Sequence, residues 1–187
     1  MLIVETDRLI LRNWQDEDRN LFYEINRDEK VMEFFPLRRS HAECDILFDR
    51  NRDMIRETGL GFYALTDRVT NEAMGFCGLS PVDLPGILPE GSVEIGWRLA
   101  TRFWGRGYVT EAASRLIEHA RIHLLLPDVH AFAVDGNHRS IAVMQRIGMQ
   151  RLVDQDFDHP RVPETHSHLK RHVLFRTQFD SIEIRTR

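Results

Sequence analysis

Residues 102–108 read Arg102-Phe103-Trp104-Gly105-Arg106-Gly107-Tyr108, and these types at this spacing suit one task, holding an anion on main-chain N–H groups. Glycines at 105 and 107 permit backbone conformations and close approach that a Cβ would forbid, so successive N–H groups can turn inward. A helix expected to start just after them adds its unpaired N–H groups and the positive end of its dipole. Arg102 and Arg106 bring charge to the rim, where guanidinium geometry matches phosphate. A Gly-x-Gly pair also serves many turns for shape alone, so the strand before it and the helix after it carry the reading. The loop lacks the Gly-Lys-Ser/Thr ending of a nucleoside-triphosphate loop and the third glycine of a dinucleotide fingerprint, and those classes recede.

Three further residues could do chemistry. Val93, Ile95, Trp97 and Leu99 alternate onto one face of a strand expected over 92–100, so Glu94 points to the other, where it is either a proton acceptor or part of a solvated face. Asn137 stands where a helix over 137–147 should begin and is a natural cap. Ser140, one turn in, either bonds the backbone or donates to a developing charge near the helix N-terminus. His159, His166, His168 and His172 crowd the tail, but no finger spacing accompanies them and no metal is expected.

The elements that must position these residues follow from periodicity. The run Leu9-Ile10-Leu11 reads as the opening strand, and Asp16 can cap a helix over 16–27 with Leu21, Phe22 and Ile25 on one side. A second amphipathic helix is expected from Ser40 to about residue 58, closed by Gly59. Strands follow over 61–65, 73–82 and 92–100, with a Pro- and Gly-rich loop from 81 to 91. Ala113, Leu116, Ile117, Ala120 and Leu124 mark a helix over 110–126. A strand over 129–134, the helix over 137–147 ended by Gly148, and strands near 150–157 and 169–179 complete the chain. The order predicts a single α/β layered domain over residues 1–187 with a mixed sheet.

Composition narrows the partners. A chain of 187 residues supports one sizeable core, and a formal charge of -4 argues against a general nucleic-acid binder. No apolar run approaches the ~20 residues of a membrane helix, and charged residues interrupt the N-terminus where a secretory signal needs an apolar core. Cys44 and Cys77 form neither a disulfide framework nor a Cys-x-x-Cys pair, which suits a reducing cytoplasm.

Arg102-x-x-Gly105-x-Gly107 followed by Tyr108-Val109-Thr110-Glu111-Ala112 closely resembles the acetyl-CoA motif of the GNAT superfamily, in particular its Rim-type branch related to ribosomal-protein N-terminal acetyltransferases. The resemblance extends upstream to Glu94-Ile95-Gly96-Trp97-Arg98-Leu99 and downstream to Asn137-His138-Arg139-Ser140 and Arg146-Ile147-Gly148-Met149, in the family's order and spacing.

The resemblance implies a GNAT acyl-CoA N-acyltransferase fold, with a mostly antiparallel mixed sheet flanked by helices, and an activity moving acetyl from acetyl-CoA to a primary amine without a metal. It implies that the strand bearing Glu94 splays from the next, leaving a wedge in which backbone groups of Trp97, Arg98 and Leu99 meet the pantetheine arm. Arg102, Trp104, Gly105, Arg106, Gly107 and Tyr108 would then hold the pyrophosphate. Asn137 would lie beside the pantetheine, Ser140 near the sulfur, and Glu94 would act as base. The sequence departs from many members at Met144, where a tyrosine commonly donates a proton; Ser140 or water must substitute. A non-catalytic acyl-CoA sensor on the same fold is the alternative. The expected acceptor is an amine-bearing small molecule or a protein N-terminus, and the histidine-rich tail is expected to serve substrate contact or homodimer packing.

Overall fold

The computed structural model describes residues 1–179; the last eight residues of the domain expected over 1–187 lie outside the described residues. The chain runs β1 (Leu2–Glu5), β2 (Leu9–Arg12), α1 (Arg19–Arg27), α2 (His41–Thr58), β3 (Gly61–Asp67), β4 (Ala73–Pro81), β5 (Val93–Leu99), α3 (Tyr108–Ile122), β6 (Asp128–Val134), α4 (His138–Arg146), β7 (Gln150–Arg151), β8 (Phe157–Asp158) and β9 (Arg171–Gln178). The strands form one sheet in the order β1-β2-β3-β4-β5-β6-β9-β7, with β8 also on β9. Only β5 and β6 pair in parallel among the described residues. The architecture is the mixed, mostly antiparallel sheet flanked by helices that the resemblance implied.

Local chemistry explains the best-defined ends. Ser40 and Glu43 form a reciprocal capping box at the start of α2, and Gly59 closes it at φ 76°. Asn137 caps α4 by accepting the Ser140 N–H at 3.2 Å. Helices α1 and α2 pack on each other and on β4 and β3, while α3 crosses β4, β1, β2 and β6. Their apolar faces share a core with Leu11, Leu65, Ile95, Leu116 and Phe175.

Three expectations need correction. The opening strand is a hairpin: β1 pairs with β2 through Val4↔Leu11 and Glu5↔Ile10, and the turn closes with a Thr6 N–H to Leu9 carbonyl bond of 2.9 Å. The helix expected from Asp16 begins as a 3-10 turn over Asp16–Asp18 and becomes α-helical at Arg19. Asp18 turns back to accept two bonds from Arg12, at 2.7 and 3.0 Å, an interaction a sequence pattern does not reveal. The strand expected over 150–157 is the two short strands β7 and β8, separated by a 3-10 turn at Val153–Gln155.

Candidate active site

The wedge begins where β5 meets β6. Their ladder pairs Glu94 with His130 alone, so from Ile95 onward β5 keeps its antiparallel bonds to β4 while its other edge has no strand partner. Gly96 lies between Glu94 and Arg98 on their shared face, and a Cβ there would come within 2.8 Å of the Phe62 ring. The Phe62 ring therefore covers that face at mid-strand, and the glycine loop over 102–108 lies just beyond the strand's end.

That loop has the conformation its glycines suggested. Gly105 and Gly107 adopt φ of 75° and 77°, and Gly107 is the residue that caps α3. Both are exposed, and nothing lies within 4 Å of a Cβ built on Gly105, so an anion can approach the backbone directly. The Trp104 indole N–H donates to the Leu99 carbonyl at 2.8 Å, which ties the loop to the end of β5. Arg106 is exposed and makes no side-chain ion pair among the described residues. Arg102 is different: its guanidinium meets Glu24 of α1 and stacks 4.8 Å from the Phe103 ring, so its charge is shared with a carboxylate. These features fit the diphosphate of acetyl-CoA.

Residues outside the motif hold the loop. Glu111, one turn into α3, accepts from Thr6 Oγ1 at 2.6 Å, Arg8 Nε at 2.7 Å and the Arg8 backbone N–H at 3.2 Å. Burial raises the Glu111 carboxyl, but the bonds from Thr6 and Arg8 outweigh it and keep the group below its ordinary value. Arg8 also donates to the Arg106 carbonyl at 3.2 Å and lies 4.8 Å from the Tyr108 ring centre. On the other side Arg139 of α4 lies 4.7 Å over the Trp104 ring and pairs with Glu33. Sequence reading missed Arg8 and Arg139 because their partners are distant in the chain. An Arg in the turn of a recognised opening hairpin would have been the one available signal.

Burial pushes the Glu94 carboxyl up to about 7, with Arg161 opposing the shift through its charge. His130, its neighbour across the ladder, is 4% exposed. Burial lowers its pKa, Asp128 pushes the other way, and Arg176 adds to the lowering, so His130 is a neutral companion at the wedge. Beyond it, Phe132, Phe157, His159 and His172 form a ring cluster with His159 and His172 4.9 Å apart. Burial, aided by His172 and Arg161, drives His159 down to about 4. His166 and His168 belong to a 3-10 segment over Glu164–Leu169 rather than to β9. No group of three or more His, Cys, Asp or Glu side chains among the described residues is placed to hold a metal ion.

Trp97 packs against the core on the face opposite Glu94, whereas Arg98 lies on the Glu94 face. The Asn137 side-chain oxygen is taken by the cap, leaving its amide N–H groups for another acceptor. The Ser140 hydroxyl makes no bond to the described residues, and the side chain is half-buried. Met144 is 2% exposed and packs in the core. A cavity of about 510 Å³ opens between the hairpin turn and α3, lined by Glu5, Thr6, Asp7, Glu111, Ser114, Arg115 and Glu118; none of these is on β5. No helix of the described residues is long and apolar enough to cross a membrane.

Known proteins resemble this chain in sequence and in fold. Residues 8–150 match the family model described as acetyltransferase (GNAT) domain. The chain is 29% identical over 145 residues to the uncharacterized protein YkkB of Bacillus subtilis, covering 77% of this chain and 83% of that protein. A GNAT-family acetyltransferase structure from Bacillus anthracis superposes with a TM-score of 0.77 at 20% identity, covering 95% of this chain and 98% of that one. RimL, a ribosomal L7/L12 alpha-N-protein acetyltransferase solved with coenzyme A, gives a TM-score of 0.76 at 15% identity over 96% of this chain and 99% of that one. At these identities the structural likenesses concern the fold alone.

Proposed function

Because the chain belongs to the GNAT acetyltransferase family, we propose that it is an acetyl-CoA-dependent N-acetyltransferase, passing the acetyl group to a primary amine by direct attack within a ternary complex. The observation that carries this reading is Glu94, a carboxyl held near neutrality at the mouth of the β5–β6 wedge. An acceptor amine is an ammonium at neutral pH, with a pKa of ~10.4 for a lysine type or ~7.7–8.0 for an α-amine. Glu94, half ionised at neutrality and fully so above it, takes that proton directly or through water. The freed nitrogen forms a bond to the thioester carbonyl carbon, the carbon–sulfur bond breaks, and the acylated nitrogen sheds its surplus proton while the departing thiolate takes one up. Ser140, with a free hydroxyl in the first turn of α4, supplies a hydrogen bond there, and the helix N-terminus favours the negative charge.

The rest of the wedge positions substrate. Backbone groups of Trp97, Arg98 and Leu99 and the Asn137 amide flank the pantetheine arm, and the loop from Trp104 to Tyr108 receives the pyrophosphate. Arg106 adds its unshared charge, and Arg102 adds what its pairing with Glu24 leaves. The same reading takes residues 1–187 as one catalytic domain. It places the protein in the cytoplasm, in keeping with two buried, unpaired cysteines.

The test is free-thiol release from acetyl-CoA against a panel of primary amines. We expect amine-dependent release that falls in Glu94→Gln. Tight coenzyme A binding without release for any amine would sink the catalytic reading and favour an acyl-CoA sensor.

A further inference from the structure

The Glu94 face of β5 carries a second charged residue that the acetyl-transfer chemistry does not use. Arg98 lies four residues along the strand from Glu94, on the same side of the sheet. Its Nη1 donates to Asn26 Oδ1 at 2.6 Å, and its guanidinium carbon lies 4.2 Å from the Phe35 ring centre and 5.4 Å from that of Phe76. Its Nε is buried with no hydrogen-bond partner, and among the described residues no carboxylate pairs with the side chain. Burial, reinforced by the charge of Arg39, lowers Arg98 to about 10, which leaves it cationic at neutral pH. Arg39 is anchored at the same place, its backbone N–H donating to the Asn26 carbonyl at 3.3 Å.

We propose that Arg98 is the receptor for an anionic group on the acceptor, so that the substrate is a small amine that also bears a carboxylate. A desolvated guanidinium with an unsatisfied N–H and no counter-ion is costly, and an apolar side chain would pack between Phe35 and Phe76 without that cost. The Nε itself is out of a ligand's reach, but Nη2 is neither bonded nor buried among the described residues, and a carboxylate meeting it there supplies the missing counter-charge through a charge-assisted bond. The surrounding charge agrees: Arg161 acts on Glu94 at one end of the face, and Arg98 with Arg39 occupies the other. A polyamine would bring additional ammonium groups against these arginines. An amine with a carboxylate sets its nitrogen at Glu94 and its negative end at Arg98. Four strand residues span about 13 Å between Cα atoms, so the two ends of the acceptor are separated by roughly the length of a short peptide.

This proposal rests on the acetyl-transfer reading for its biological meaning, but its test does not need turnover. Oligoglycines of two to four residues, as free acids and as C-terminal amides, would be titrated calorimetrically into the protein saturated with coenzyme A, and assayed in parallel for acetylation. The free acid of matching length should bind about tenfold or more tighter than its amide. Arg98→Gln should abolish that preference, the acid falling to the affinity of its amide. Arg98→Lys, which keeps the charge but loses the planar fork, should retain part of it. Equal binding of acid and amide by the unaltered protein would overturn the proposal, as would preferred acetylation of spermidine or an equal loss for both ligands in a folded Arg98→Gln. Acid-selective binding without any acetylation would uphold the anion site and remove the transfer reading instead.

Discussion

Replacing Glu94 with glutamine should make the protein more stable and less active, and both effects should depend on pH in a defined way. The side chain is held in a site that penalises its charge, moving its pKa from 4.5 to about 7. A carboxyl raised in this way keeps its proton in the folded protein where the unfolded chain has already lost it. The folded state therefore loses stability as pH climbs from 4.5 through about 7, and loses no more above that. At ~1.4 kcal/mol per pH unit, the full penalty is about 3 kcal/mol. Glu94 is half-buried rather than sealed, so water screening makes this an upper figure. For a chain of this size it corresponds to a rise in melting temperature of up to roughly 6–12 °C in Glu94→Gln. Thermal denaturation at about pH 8 should show the gain, and most of it should vanish at about pH 5, where the wild-type carboxyl is also neutral when folded. Acetyl transfer should fall by about 10²–10⁴-fold, most strongly between neutrality and the acceptor's own pKa, because below neutrality the wild-type Glu94 is itself protonated and is no better a base than glutamine. A stability difference that is the same at both pH values, or an activity loss with no pH dependence, would refute the reasoning and return Glu94 to a solvated strand face.

Three other outcomes follow from the site. Coenzyme A at a hundred times its dissociation constant should stabilise the protein by about 2.7 kcal/mol, and Gly107→Glu, which puts a side chain and a negative charge at a φ of 77°, should erase that shift in melting temperature. Ser140→Ala should lower the single-turnover rate of acetyl transfer by ~10²-fold while coenzyme A affinity holds, because the Asn137 cap uses the Ser140 backbone N–H and not its hydroxyl; an unchanged rate makes water the proton donor. Met144→Tyr should cost about 1–3 kcal/mol in denaturant unfolding without restoring a donor, since the 2%-exposed methionine packs in the core.

Much of this site was legible because its signals are local. The closing glycine at 59, the cap at Asn137 and the two glycines at 105 and 107 each act within a few residues, and each appears where expected. The alternation of Val93, Ile95, Trp97 and Leu99 likewise put Glu94 on the far face. The misses came from contacts between distant segments. In β1 only Val4 is buried, so its pattern is faint, and it exists through pairing with β2. The split of 150–157 into β7 and β8 depends on how both meet β9. Arg98 was expected to contribute its backbone; nothing in its neighbours along the chain tells that its side chain meets Asn26 and Phe35 without a carboxylate.

The carboxylate of Glu111 joins the first turn of the chain to the loop at its middle, since Thr6 and Arg8 bond it and Arg8 also holds the Arg106 carbonyl. During synthesis the hairpin therefore waits for more than a hundred residues before its principal polar partner emerges, and the bonds from Arg8 to Glu111 and to the loop form only when the two segments meet. In amide-exchange experiments the protons of residues 104–107 should then respond to the edge of the sheet: loosening β1 and β2, by trimming or by a bulky N-terminal fusion, should speed their exchange even though the loop's own sequence is untouched.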